Sequence, residues 1–155
     1  MQITSEKALF DISSLNAESK EWTFDNEAVK LLNLGLPAEL VTRLEAIWGT
    51  IKVIGNETVA VGKIIVKKIV DFMLNNSGMT VGLLFGAAVA AFLSASIPFV
   101  GALLAPLIVT LSALYGYNIQ DGGKDSLLYS AVKLAKEFLD LVISIFQAVT
   151  SYVRD

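Results

Sequence analysis

Cysteine and histidine are both absent from this 155-residue chain. Without them there is no disulfide, no thiol nucleophile, no imidazole base and no His–Cys zinc site. The redox compartment stays open, because a cysteine-free chain suits any. Basic charge is also scarce. With 12 Lys and Arg against 15 Asp and Glu the net charge is −3, which argues against a nucleic-acid footprint. The start of the chain, Met1-Gln2-Ile3-Thr4-Ser5-Glu6-Lys7, has neither a basic nor an apolar stretch, so no Sec-type signal is expected and the chain is expected to begin in the cytoplasm.

The most informative absence is charge in the middle of the chain. Between Asp71 and Asp121 there are 49 consecutive uncharged residues, in a protein where 17% of residues are charged. The run is broken once, at Ser96-Ile97-Pro98, into two stretches of 19 residues, 79–97 and 99–117. As helices these would each reach about 28 Å, close to the ~30 Å hydrocarbon core of a bilayer. Mean hydropathy is +0.63 and hydrophobic residues make up 54%, above the usual share for a soluble domain. The expected architecture is all-α: a central hydrophobic helical hairpin flanked by long amphipathic helices.

Four segments are expected within one structural domain. Residues 1–37 form an acidic head, short and helical or partly irregular, in which Thr23 to Asn26 cap a helix, Gly35 stops it and Pro37 suits the first turn of the next. Residues 38–76 read as one long amphipathic helix. Glu45, Gly49, Lys52, Asn56, Ala60, Lys63, Lys67 and Asp71 step along one side, and Ile47, Ile51, Ile54, Val61, Ile65, Ile69 and Phe72 along the other. A β-hairpin turning at Gly55-Asn56 competes with this reading; the helix is preferred because the period runs through Gly55 and Gly62. Residues 79–117 are the hairpin. Residues 124–153, after the break Asp121-Gly122-Gly123, form a C-terminal amphipathic helix with Lys133, Lys136, Glu137, Asp140, Ser144, Gln147 and Ser151 on its polar side. Leu127, Leu134, Phe138, Leu141, Val142, Ile145, Phe146 and Val149 fill its apolar side.

The hairpin's first arm carries Gly78, Gly82, Gly86, Ala90 and Ser94 at steps of four, one continuous small face. In lipid, where apolar side chains gain nothing from association, close backbone approach at such residues draws helices together. The second arm has Gly101, Ala105, Ser112 and Gly116 at similar spacing, with Pro106 inside it as a hinge or as the start of the arm's regular part. The tip around Pro98 is short and uncharged, so no charge crosses the bilayer; each central Lys or Asp would cost about 2.5–3.5 kcal/mol. Lys63, Lys67 and Lys68 precede the run and Lys124, Lys133 and Lys136 follow it, which places both termini on the cytoplasmic side if insertion occurs from there. Phe72, Tyr115 and Tyr117 stand where an interfacial aromatic belt is expected.

This layout resembles the buried hydrophobic hairpin of pore-forming colicins and the membrane-entering hairpins of other α-helical pore formers. The resemblance covers residues 79–117 with their flanks and lies in composition and layout. It implies amphipathic helices that shield an Ala/Gly/Leu-rich hairpin until insertion. With only two clear flanking helices, the chain is expected to form an oligomer or a permanently embedded structure.

Catalytic signals are weak. Ser130 and Lys133 match an S-x-x-K spacing without its companion motifs, and both read as punctuation of the C-terminal helix. Gly122-Gly123-Lys124-Asp125-Ser126 lacks the full phosphate-loop pattern and reads as a helix restart. Glu137 and Asp140 sit beside lysines on a solvated stripe, and Trp22 and Trp48 read as core or interface anchors. Neither an enzyme, a cofactor nor a metal is expected. The leading expectation is a membrane-inserting protein that oligomerises and permeabilises a lipid bilayer in a toxin-like role. The alternatives are a two-span structural subunit of a membrane complex and a soluble bundle with an unusually apolar core.

Overall fold

The structure, a computed structural model, describes residues 3–117 and 126–154, and the side chains of all of these except Ser126. The chain is all-α, with seven helices among the described residues and one small three-stranded sheet. The break at Asp121-Gly122-Gly123 and the Gly122–Lys124 segment lie outside the described residues.

The head is two helices. α1 (Ser5–Ser19) begins at Thr4, whose hydroxyl accepts from the Lys7 amide at 3.2 Å. α2 (Phe24–Leu34) begins at Thr23, which accepts from the Asn26 amide at 3.4 Å. It ends at Gly35, whose φ of 96° admits the left-handed cap that a side chain disfavours, and Leu36 then donates back to the Leu31 carbonyl at 3.0 Å. Pro37 precedes α3 (Ala38–Trp48), as the sequence suggested.

Residues 38–76 are not one helix. Between α3 and α4 (Val61–Asn75) stand β1 (Lys52–Ile54) and β2 (Glu57–Val59), an antiparallel hairpin turning at Gly55-Asn56 with Gly55 at φ 66°. A glycine with positive φ first in a two-residue turn fits the twist of paired strands. Both flanking helices are amphipathic, so the 3.6-residue period runs through the sequence while the backbone leaves the helix between them. The sheet is completed by β3 (Val153–Arg154), which pairs antiparallel with β1. The expected C-terminal helix 124–153 is therefore shorter: α7 (Ser126–Ala148) gives way to a 3-10 turn at Thr150–Tyr152 and then to the strand.

Two features fix the corner where α1, the sheet and α4 meet. Asn16 is buried, and its amide donates to Glu57 Oε2 at 2.7 Å and to the Thr58 carbonyl at 2.9 Å; its oxygen accepts from the Ala60 amide at 2.9 Å. Gly62 lies so close to the end of α3 that an added Cβ would fall 1.8 Å from the Ile47 carbonyl oxygen. The Gly62 amide also donates to the Thr50 carbonyl at 3.0 Å.

α5 (Val81–Ser94) is the middle of the molecule. Gly82 and every residue from Leu84 to Phe92 are buried, against α4, α6 (Val100–Tyr115) and, most extensively, α7. A helix apolar on all sides belongs inside a bundle. α1 covers α4 and α7; α2 and α3 lean on α4, and α3 also meets α6.

Charge ties the head to α4. Lys67 lies 3.1 Å from Asp71 and 3.5 Å from Glu27, a residue only 3% exposed, while Lys30 reaches Glu27 from the solvent side at 3.5 Å. Burial pulls the Lys67 ammonium down, but hydrogen bonding and attraction from Asp71, with Glu27 behind, outweigh it and hold its pKa above the ordinary 10.5.

Two outcomes follow. Gly62→Ala should lower unfolding stability by about 1–3 kcal/mol, as overpacking against fixed backbone does. Gly49→Ala, where nothing lies within 4 Å, should change little in urea titrations; equal effects would contradict the close α3–α4 approach. Because Lys67 is raised in the folded state, its contribution is complete below pH 10.5 and is lost as pH rises through the higher folded value. The urea midpoint should fall on going from pH 9.5 to 11.5, and Lys67→Arg, which stays protonated, should show a smaller fall. An identical fall in both proteins would rule the ion cluster out as a source of stability.

The candidate functional site at α5 and α6

The uncharged run folds into α5, a tip, and α6. The helices occupy 14 and 16 residues, not the 19 expected for each arm. Thr80 is extended and starts α5; Ser96 at φ 56° and Pro98 separate the helices; Gly116 at φ 71° ends α6. At those lengths the helices reach about 21 and 24 Å. Among the described residues, no helix is long and apolar enough to cross a membrane.

The small residues divide by location. Gly82, Gly86 and Ala90 are buried in α5. Gly78 is not on that face: it lies exposed in the turn ahead of the helix, and Ser94, at the other end, is also exposed, its hydroxyl donating to the Ala91 carbonyl at 3.0 Å. At Gly82 an added Cβ would sit 2.6 Å from the Tyr115 ring, so this glycine admits α6's last aromatic against α5. Tyr115 stacks on Tyr117 with centroids 5.6 Å apart.

The second arm's small residues point the other way. Gly101, Ala105, Pro106 and Gly116 are exposed, as is Pro98 in the tip, and Gly101 and Gly116 have open space where a Cβ would stand. Pro106 lies within a continuous helix, so the reading in which residues 99–105 form a wide turn is excluded. It sits on the outer side, where water can reach the carbonyl it leaves without a donor, and Thr110 donates its hydroxyl to the Pro106 carbonyl at 3.0 Å. With Ala102, Val109, Ser112, Ala113 and Leu114 these positions make an exposed face without charge, and Val109 is 70% exposed.

The flanking residues also part from expectation. Phe72 is fully buried and packs on Phe138 at 5.6 Å, so it is a core residue and not part of an interfacial belt. Lys67 belongs to the ion cluster that ties α2 to α4, and Lys68 is half-buried on the next position. Ser144, expected on a polar stripe, is buried, whereas Leu127, Leu134, Phe138 and Leu141, expected inside, are exposed. Sequence periodicity gives the width of α7's apolar side but not which part of it the core takes. The covering helix is fastened to the tip: Gln147 donates to the Ala95 carbonyl at 2.8 Å, and Phe146 meets Phe99 edge-on at 5.8 Å. Beyond α7, β3 closes on β1, and the Arg154 guanidinium donates to the Gly55 carbonyl. This closure of the C-terminal end had no signal in the sequence.

Ser130 and Lys133 are both exposed on α7, and Trp22 and Trp48 sit partly buried with Lys67 and Lys63 over their rings at 6.0 and 5.9 Å. No group of acidic side chains suited to holding a metal occurs among the described residues. No protein-family model, curated protein or solved structure matches the chain.

The contact at Gly82 is testable as a cycle. Gly82→Ala should destabilise the protein in the presence of Tyr115 and do so less in Tyr115→Ala, with a coupling of about 0.5–3 kcal/mol from chemical denaturation. Zero coupling would show that the ring does not rest on the glycine.

Proposed function

We propose that this chain is a membrane-inserting α-helical protein that oligomerises and permeabilises a bilayer, with α5 and α6 as the inserting pair. The observation that carries the reading is the distribution of charge over the fold. The uncharged run forms one helix buried in the bundle from Leu84 to Phe92 and a second whose outer face is uncharged and, among the described residues, exposed. In this reading the bundle is the sheltered form. α6 meets lipid first through Ala102, Ala105, Val109 and Ala113, and α5 follows when α7 moves off it. The tip between them carries no charge to bar its passage. The small positions of α6 that lie exposed among the described residues, Gly101 and Ala105, are then available to a neighbouring copy in the bilayer. A two-span structural subunit rests on the same run; retention in carbonate-washed membranes without leakage would favour it.

The test uses dye-loaded vesicles. The full chain should float with liposomes and release their contents. Val109→Asp lies on the surface and should leave the fold intact by circular dichroism. It should cut leakage more than tenfold, since a carboxylate deep in the hydrocarbon costs about 2.5–3.5 kcal/mol. A second variant, Val53→Cys with Arg154→Cys, places thiols at cross-strand partners of β1 and β3 in a chain that has no other cysteine. Oxidised, it should leak less than when reduced. Absence of leakage by the parent chain, or full leakage by Val109→Asp, overturns the proposal.

A further inference from the structure

Outside the α5–α6 pair, a half-open groove of about 470 Å³ runs between α1, α4 and α7. Its apolar lining comes from Leu15, Phe138, Leu141, Val142 and Ile145. Two of these are large side chains left in contact with solvent: Phe138 is 41% and Leu141 57% exposed. The charges at its rim are unequal in what they have left to give. Asp11 is held by Lys7 at 2.6 Å, and Asp71 by Lys67 at 3.1 Å. Glu18 stands exposed on the last turn of α1. Lys68, half-buried in the groove wall, has no carboxylate within ion-pairing distance among the described residues.

We propose that this groove binds a single-chain amphiphile with an anionic head, the alkyl chain lying along Phe138, Leu141 and Val142 and the head paired with Lys68. Volume and lining both favour such an occupant. Sites for small ligands run from about 300 to 1,000 Å³, mostly apolar with a few placed polar groups. Alkyl burial supplies most of the affinity and covers the two exposed side chains of α7. The head supplies the counter-charge that Lys68 lacks among the described residues. Asp11 and Asp71 are already engaged by lysines, and Glu18, exposed on α1, stands outside ion-pairing distance of Lys68. The site is separate from the outer face of α6, so its occupancy is measurable whether or not the chain inserts into lipid.

The experiment is calorimetric titration of the full chain at pH 8, below the micelle concentration, with dodecanoate, dodecyl phosphate, dodecylphosphocholine and dodecanol. Dodecanoate and dodecyl phosphate should bind saturably at one site, at least tenfold more tightly than dodecanol. Which of the two binds more tightly separates a fatty-acid carboxylate from a lipid phosphate as the natural head, and dodecylphosphocholine tests whether a masking cation abolishes the preference. Lys68→Met should remove the tenfold preference for anions while leaving weak alkyl binding. Leu141→Glu, a change on an exposed position whose fold is checked by circular dichroism, should abolish binding of all four. No saturable binding, equal affinity for dodecanol, or an unchanged preference in Lys68→Met overturns the proposal.

Discussion

A helix with no polar side has to be enclosed, and α5 imposes that requirement on the whole chain. Leu84, Phe85, Val89 and Phe92 are each essentially removed from water, and burial of a side chain of that size is worth about 1.5–3 kcal/mol. The alanines between them keep the helix slim enough for α4, α6 and α7 to approach together. Each enclosing helix then has a division of labour. α4 turns Ile64, Ile65, Ile69 and Phe72 inward, and its Lys67 and Asp71 join the charge cluster with Glu27. α7 turns Leu128, Ala131, Ala135, Leu139 and Phe146 inward and exposes Lys133, Lys136, Glu137 and Asp140. Only α6 lacks a charged outer side.

The corner between α3 and α4 depends on a different constraint, the accommodation of polar backbone in a crowded place. The hairpin brings its carbonyls and amides against α1, and buried backbone groups need partners. Asn16 meets two of them, at Thr58 and Ala60, and holds the Glu57 carboxylate as well. Ser13 gives that same carboxylate its second hydrogen bond at 2.9 Å. One short side chain thus joins the head to the sheet and to the start of α4. Gly62 lets α4 start in contact with the last turn of α3, which keeps the connection between them short.

Much of this was legible in sequence, and the places where it was not have physical causes. Thr23, Gly35 and Pro37 act through local hydrogen bonds and φ preference, so they marked α2 and α3 correctly. The central uncharged run was read as two equivalent arms; α5 is buried from Leu84 to Phe92, whereas α6, equally free of charge, keeps an exposed outer face, a difference that composition alone does not carry. The strands were missed because Gly55-Asn56 is a local signal weighed against a period that both neighbouring helices share; the turn won once Tyr152, Val153 and Arg154 came from the far end of the chain to pair with β1. Such a partner, 99 residues away for Arg154 and Gly55, leaves no mark in local pattern. The small-residue stripe was legible as packing only where a specific neighbour arrives, as Tyr115 does at Gly82. Spacing alone could not show that α6's own small residues face outward.

The lengths of α5 and α6 bear on the proposed membrane role. Helices of 14 and 16 residues are short against the roughly 20 that a bilayer asks for. Yet the uncharged sequence continues past both ends of each helix, through Ser77–Thr80, through the tip and through Tyr117, without meeting a charged side chain. In the bundle the tip residues between the two helices meet α7. Ala95 accepts from Gln147, and Phe99 packs on Phe146. In hydrocarbon every backbone amide and carbonyl must bond within the chain, so the same residues would gain by joining the helices. In the proposed role, release of α7 would therefore remove the cover from α5 and the contacts that α7 makes with the tip at Ala95 and Phe99.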